Sequence, residues 1–306
     1  MGYIDLHTHT NYSDGSATVI QTLELAERLG LSHLAISDHN TVDAYGEVMR
    51  ERSRFSGKIL PAVELTTTYN AETIEVLGYG IDLNRMGEWI SSHYLSFREK
   101  QIKGARLDAT SMLGHGVALD PDFVDAMLNR PETVFNPNSE VNRPYLLAEI
   151  KRHPENVRFF DSTEEFENIG VGAFTRKYIY NPQSTLFSDQ AELYQPLTDV
   201  IATIHACGGL AFLAHPFVYT EMVINQLDDI LSFGVDGIEC HYGTFSAEQK
   251  QFLVDFCNKR GVFRSGGSDH HGTDIRPKNI LGLSDGEKIS YSLVSDWICR
   301  LSEALI

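Results

Sequence analysis

Cysteine and basic residues are both scarce in this 306-residue chain, and each shortage removes a class of protein. The four cysteines, Cys207, Cys240, Cys257 and Cys299, are widely spaced with no Cys-x-x-Cys pair, which speaks against a disulfide framework or a zinc–thiolate site. Reduced thiols are expected, buried at Cys207 and Cys240, which lie in or beside apolar runs. Lys and Arg number 25 against 42 Asp and Glu, a formal net charge of −17. Such a surface disfavours broad, salt-dependent binding to a nucleic-acid backbone. It still admits a small anionic substrate, because bound divalent cations invert the local field. No apolar run reaches the length of a membrane span, and no basic stretch leads into an apolar one as in a secretory signal. Met1-Gly2 lacks the Ser or Thr at position 6 that N-myristoylation wants, since Leu6 stands there. A cytoplasmic protein with no membrane partner is expected; the oligomeric state is left open.

What is present is an ordinary core-forming composition, 42% hydrophobic, long enough for one large α/β domain or a barrel with an insertion. Strand and helix patterns alternate at the start: a strand at Tyr3–Leu6, a helix over Thr18–Leu29 stopped by Gly30, a strand at His33–Ile36 and a helix over Thr41–Phe55. Strands at Ile59–Val63 and Ile74–Gly80 follow. Alternation resumes at Leu197–Ala206 (helix), Leu210–Ala214 (strand), Glu221–Phe233 (helix), Gly237–Cys240 (strand), Ala247–Lys259 (helix) and Val262–Arg264 (strand), with a closing helix at Ser292–Ala304. Such repetition predicts parallel strands with helices outside. Between the two stretches, residues 84–196 are mostly polar with helical periodicity, including one long helix from Trp89 to Leu113. Pro131, Pro137, Pro144, Pro154 and Pro182 break the remainder. An inserted helical subdomain is expected there, between barrel segments 1–83 and 197–306.

The chemistry-bearing residues gather at strand ends. His7-Thr8-His9 follows the first strand, and residues two apart on a strand share a face. Asp14 lies on the next loop, Ser37-Asp38-His39 follows the second strand, and Glu64 and Glu75 sit with the third and fourth. His215 precedes Pro216, and Asp269 and His271 close the set. Each has a plain alternative: Asp38 as a helix N-cap, Glu64 as a solvated strand end, His215 as a satisfied core histidine. Together, nine imidazole and carboxylate candidates without sulfur suit Zn²⁺, Mn²⁺ or Fe²⁺. They exceed the needs of one ion, so two or three divalent ions are expected. Asp38 is a candidate for orienting a neighbouring imidazole. His270 is expected to face away by strand alternation. His241, at another strand end, is a candidate substrate contact or general acid. Arg176 and Lys177 read as a solvated basic pair.

Taken in order, His7-Thr8-His9, Asp14-Gly15, Ser37-Asp38-His39, Glu64, Leu77-Gly78-Tyr79-Gly80-Ile81-Asp82, Ala214-His215-Pro216 and Gly267-Ser268-Asp269-x-His271-Gly272 resemble the PHP (polymerase and histidinol phosphatase) family, in its stand-alone metal-dependent phosphoesterase branch. The resemblance implies an α/β fold, a distorted TIM-like (β/α)7 barrel with the helical subdomain inserted as a substrate cap. It implies one ion on His7, His9, Glu64 and Asp269. A second would lie on Glu64, His215 and position 75, and a third on Asp14, His39 and His271. Many relatives have His where this chain has Glu75; a carboxylate there would favour a harder ion such as Mn²⁺, or would stand solvated. Related phosphoesterases often carry Arg-Pro-His in the insertion; here Arg143-Pro144-Tyr145 keeps an arginine suited to a bidentate grip on phosphate. The implied activity is hydrolysis of a small phosphorylated, nucleotide-like substrate by a hydroxide bridging two ions. A 5′–3′ exonuclease on short RNA or DNA, a C–N bond hydrolase and a non-catalytic metal-stabilised binding module are the alternatives. The intact ligand set speaks against the last.

Overall fold

Short apolar strands followed by capped helices build the first part of the chain. In the computed structural model, which describes residues 2–129, 142–301 and 303–306, strand β1 (Tyr3–Asp5) leads through the His7 loop to helix α1 (Val19–Leu29). Thr18 caps α1 in a reciprocal capping box with Gln21, and Gly30 ends it at φ 67°, a left-handed conformation that costs glycine little. Strand β2 (Leu31–Leu34) and helix α2 (Ala44–Glu51) follow, then β3 (Lys58–Ile59), β4 (Ala62–Tyr69) and β5 (Glu72–Tyr79). Asn70 and Ala71, at φ 49° and 67°, form the two-residue turn between β4 and β5.

By Cα proximity the chain divides into two units. The first comprises Met1–Thr67, Ile74–His93 and Pro196–Ile306; the second comprises Thr68–Thr73 and Tyr94–Gln195. In the first, α3 (Leu83–His93), α9 (Leu197–Ala206), α10 (Glu221–Asn225), α11 (Leu227–Ser232) and α12 (Ala247–Arg260) join the helices above. Its remaining strands are β7 (Leu210–Leu213), β8 (Gly237–Tyr242), β9 (Phe263–Gly267) and the small pair β10 (Leu283–Ser284) and β11 (Glu287–Lys288). With β6 (Gln195–Pro196), the strands form a sheet β1-β2-β3 and a sheet β6-β4-β5-β7-β8-β9, besides the β10-β11 pair. Beyond the ends of the named strands the chain is stitched further: Thr8 bridges His270 and His39 bridges Glu64, both parallel. Asp269 N–H donates to His7 O at 2.8 Å, and Glu64 N–H to Ser37 O at 3.1 Å.

One expectation fails here: not all neighbours are parallel, since β5 pairs antiparallel with β7. The tight turn at Asn70-Ala71 reverses the chain after β4, so β5 returns against the run of its neighbours. The core beneath the strands is filled by Ile4, Leu6, Leu77, Tyr79, Phe212 and the fully buried Trp297. The Trp297 ring stacks on Tyr79 at 5.4 Å, and its indole N–H donates to Arg264 O at 2.7 Å. The closing helix expected over Ser292–Ala304 is replaced by 3₁₀ turns at Tyr291–Leu293 and Ile298–Leu301, which turn Trp297 inward. The helix expected over Glu221–Phe233 is likewise interrupted, at Gln226, whose φ of −117° and ψ of 22° leave the helical region.

The second unit is helical: α4 (Phe97–Gly114), α5 (Pro121–Asn129), α6 (Asn142–Arg152), α7 (Thr163–Asn168) and α8 (Val171–Phe174). The single long helix expected from Trp89 to Leu113 is two, α3 and α4, because Ser96 starts a new one through a capping box with Glu99. Leu146, Ile150, Phe160, Phe166 and Phe174 pack its core. Pro154 opens a 3₁₀ turn; Pro131 and Pro137 lie outside the described residues. Among the described residues no helix is long and apolar enough to cross a membrane.

Candidate metal centre

The ends of the strands bring all nine candidate ligands of the first unit into four overlapping groups, each with donor atoms within 4.8 Å of one another. Glu64 lies at the middle, fully buried: its Oε2 is 3.2 Å from both His7 Nε2 and His9 Nε2 and 3.1 Å from His39 Nδ1. Its Oε1 is 3.1 Å from His215 Nε2. Asp269 Oδ1 completes the first group at 3.4 Å from His7 Nε2 and 3.2 Å from His9 Nε2. Glu75 joins the cluster rather than standing in solvent, with Oε2 3.3 Å from His215 Nε2 and Oε1 3.4 Å from His39 Nδ1. Asp14 faces His271 at 3.1 Å, and His9 and His39 at 3.7 Å each.

The donor set fits divalent ions. His7 Nε2 and His9 Nε2 lie 3.1 Å apart, an arrangement in which two neutral imidazoles aim lone pairs at each other unless a proton or cation intervenes. His9 Nδ1, Glu64 Oε2 and His271 Nε2 are buried without a hydrogen-bond partner, and buried polar atoms of this kind call for an ion or water. Without metal, protons would have to fill that role. Burial by itself disfavours the imidazolium of His9, yet Asp269 and Glu64 outweigh it and raise the pKa to about 10. At His215 burial is likewise overcome, by Glu64 and Glu75, and the pKa also reaches about 10. Burial would raise Glu64 and Asp14, but the surrounding imidazoles hold both below the usual carboxylate range. Backbone strain also concentrates here: His215 and Asp269 adopt positive φ, 25° and 55°, which side chains other than glycine rarely do.

A second layer of residues holds these donors in place. Glu239, fully buried on β8, accepts from His7 Nδ1 at 2.9 Å and from the His215 backbone N–H at 2.9 Å, which leaves Nε2 of His7 to face the cluster. Asp5 accepts from the Ser268 hydroxyl and N–H and from the Gly282 N–H, tying β1 to the Asp269 loop. Tyr242 donates to Asp269 Oδ2 at 2.7 Å, and Arg276 pairs with the same oxygen. Asp38 touches no imidazole; it binds Thr10 N–H and hydroxyl at 2.7 Å each and Ser13 at 2.6 Å, fixing the loop that carries Asp14.

Of the two remaining candidates, His241 lies outside the four donor groups and Arg143 belongs to the second unit. Between Glu239 and His241 the register of β8 against β9 shifts, an irregularity that re-aims side chains. Glu239 and Tyr242 therefore reach the cluster, while His241 lies among Lys250, Glu287 and Arg264; burial and those cations lower its pKa to about 4. Arg143 belongs to the second unit, where it is buried, 3.6 Å from Asp108 and stacked over Tyr180 at 4.6 Å. Its neighbour Tyr145 is exposed. His270 faces away as expected, hydrogen-bonded to Asn279 O at 2.7 Å, and Lys177 is engaged by Asp161 and Glu165. Glu239, Tyr242 and Arg276 escaped the sequence reading. Only Glu239 carried a signal, as a carboxylate inside an otherwise apolar strand.

Residues 5–102 match the family model of the PHP domain. The chain is 25% identical over 274 residues to the 3′,5′-nucleoside bisphosphate phosphatase of Chromobacterium violaceum, covering 89% of this chain and 88% of that protein. Identity to a 5′–3′ exoribonuclease of Haemophilus influenzae is also 25% over 274 residues, covering 87% and 89%. Among solved structures, an amidohydrolase from Chromobacterium violaceum with bound sulfate and no metal superposes with a TM-score of 0.65 at 23% identity, covering 99% of this chain and 97% of that one. The fold is thus mixed α/β like that of this neighbour, and residues 5–102 are similar to the PHP domain.

Proposed function

We propose that this protein is a metal-dependent phosphoesterase acting on small, nucleotide-like phosphate esters. The observation that carries the reading is the convergence of nine imidazole and carboxylate side chains centred on Glu64, all but Asp14 buried or half-buried. In this reading His7, His9, Glu64 and Asp269 hold one divalent ion, Glu64, Glu75 and His215 a second, and Asp14, His39 and His271 a third. Zn²⁺, Mn²⁺ and Fe²⁺ all suit such donors, with Glu75 favouring the harder Mn²⁺. When bound, the ions supply Lewis-acid charge for the phosphoryl oxygens and lower the pKa of water. The chain itself orients the donors: Glu239 fixes the His7 ring, Tyr242 holds Asp269, and Asp38 sets the loop of Asp14. The strands of the first unit are read as a distorted TIM-like (β/α)7 barrel, supported by the bridges at Thr8–His270 and His39–Glu64. Residues 84–196 are read as a substrate cap, with Arg143 as its phosphate-gripping residue. Free cysteines, three of them buried, fit a cytoplasmic setting.

The two relatives divide the substrate question, one named for a nucleoside bisphosphate and the other for RNA. The net charge of −17 favours a short substrate over a long polyanion. The test is a phosphate-release screen with metal-loaded protein across nucleotides, nucleoside bisphosphates, sugar phosphates and short 5′-phosphorylated RNA. Release from a nucleotide-like ester, lost in His9→Ala and Asp269→Ala and retained with a raised KM in Arg143→Ala, is the expected result. Undiminished release in the metal-loaded His9→Ala variant would sink the mechanism.

A further inference from the structure

Arg276 is a cation set against the acidic cluster. Its guanidinium pairs through Nη1 with Asp269 Oδ2, while 37% of the side chain stays exposed. Burial alone would lower its pKa, but the carboxylates of Asp269, Asp14 and Glu75 reverse that effect. Arg276 thus senses the members on the cluster's open side, since Asp14 (43% exposed) and Glu75 (22%) are its accessible carboxylates. The loop beneath it is pinned: Arg276 N–H donates to Gly272 O at 2.9 Å, Asn279 N–H to Arg276 O at 3.0 Å, and Asn279 Nδ2 to Ser268 O at 2.8 Å. Ser16 ties Asp274 to the first loop from the other side. The arginine is therefore presented on a fixed backbone, so little ordering remains to be done when a ligand arrives.

Charge gives this position a purpose. Asp14, Glu64, Glu75 and Asp269 line the cluster and Glu239 stands behind it. Three divalent ions would leave these five carboxylates with a net charge of about +1, one short of a phosphate dianion, and Arg276 supplies the remaining positive charge. We propose that Arg276 is a substrate-contacting residue of this centre, donating charge-assisted hydrogen bonds to a phosphoryl oxygen through the nitrogens that do not hold Asp269. It sets phosphate affinity rather than metal content. The inference rests on the phosphoester reading above and adds to it a cation built into the same unit as the ligands.

The experiment compares metal-loaded wild type with Arg276→Ala and Arg276→Lys, measuring bound metal per chain, inorganic phosphate binding by calorimetry, and kcat and KM on an ester the wild type hydrolyses. Full metal content, phosphate binding weakened at least about tenfold in Arg276→Ala, intermediate binding in Arg276→Lys, and a rise in KM larger than the fall in kcat support the assignment. Unchanged phosphate affinity at full metal content overturns it. So does a loss of phosphate binding that merely follows a loss of metal, which would make Arg276 a brace for Asp269. A wild type that releases phosphate from no ester would count against the function alone, because the phosphate-binding arm still decides the role of Arg276.

Discussion

At the scale of single residues, Glu75 decides how the centre differs from one with an imidazole at that position. It puts a carboxylate 3.3 Å from His215 and 3.4 Å from His39. A negative oxygen donor favours harder ions, whereas imidazole suits Zn²⁺ at least as well. Glu75→His should therefore leave the fold intact and shift the metal taken up from an equimolar Mn²⁺ and Zn²⁺ mixture toward Zn²⁺. Elemental analysis after loading would check this; an unchanged ratio would mean that Glu75 does not ligate. The value of Glu75 was legible as a candidate in the sequence, but its reach was not. Whether a glutamate on a strand bends into a site or into water depends on neighbours distant in the chain, here Tyr219, whose hydroxyl accepts from the Glu75 N–H at 2.8 Å.

At the scale of elements, the junction of β9 with β1 sets the geometry of the first ion site. A methyl group added at Gly267 would lie 2.3 Å from His7 Cβ and 2.4 Å from His7 N, distances that force the two chain segments apart. Gly267→Ala should cost about 3 kcal/mol of stability, as overpacked cores do. It should also reduce bound metal, since His7 and Asp269 sit on the two sides of that contact. A denaturation midpoint and metal content equal to wild type would show that the junction yields freely. Hydrophobic patterning located the central strands and α9, because apolar periodicity is local. It misjudged the closing helix and β8 beyond Cys240. There, tertiary packing of Trp297 and the register shift after Glu239 overrode local preference.

At the scale of the whole molecule, the buried charge of the centre couples metal, protons and folding. The pKa of His9 and of His215 is raised from the ordinary 6.5 to about 10 in the metal-free protein. A raised histidine stabilises the fold fully below the unfolded value, and that contribution is lost as pH climbs through about 10. Metal binding requires neutral imidazole, so it must expel these protons near neutral pH. Calorimetric titration with Zn²⁺ or Mn²⁺ at pH 7.5 in two buffers of different ionisation heat should report proton release, and apparent affinity should rise with pH. Binding without proton release would mean that the imidazoles are already neutral. Added metal should also remove the alkaline loss of stability seen without it.

The sequence by itself determined the ligand inventory: which residue types recur at strand ends, and that they exceed what one ion needs. Those signals are local, a histidine pair two residues apart or an aspartate beside a glycine, and local chemistry survives in one dimension. The tertiary structure alone decided which side chains aim at the centre. It turned Tyr242 inward in place of His241, set Glu239 behind His7 and brought Arg276 onto Asp269. Direction depends on strand register and on loops joined across more than two hundred residues, and those are fixed only when the chain packs.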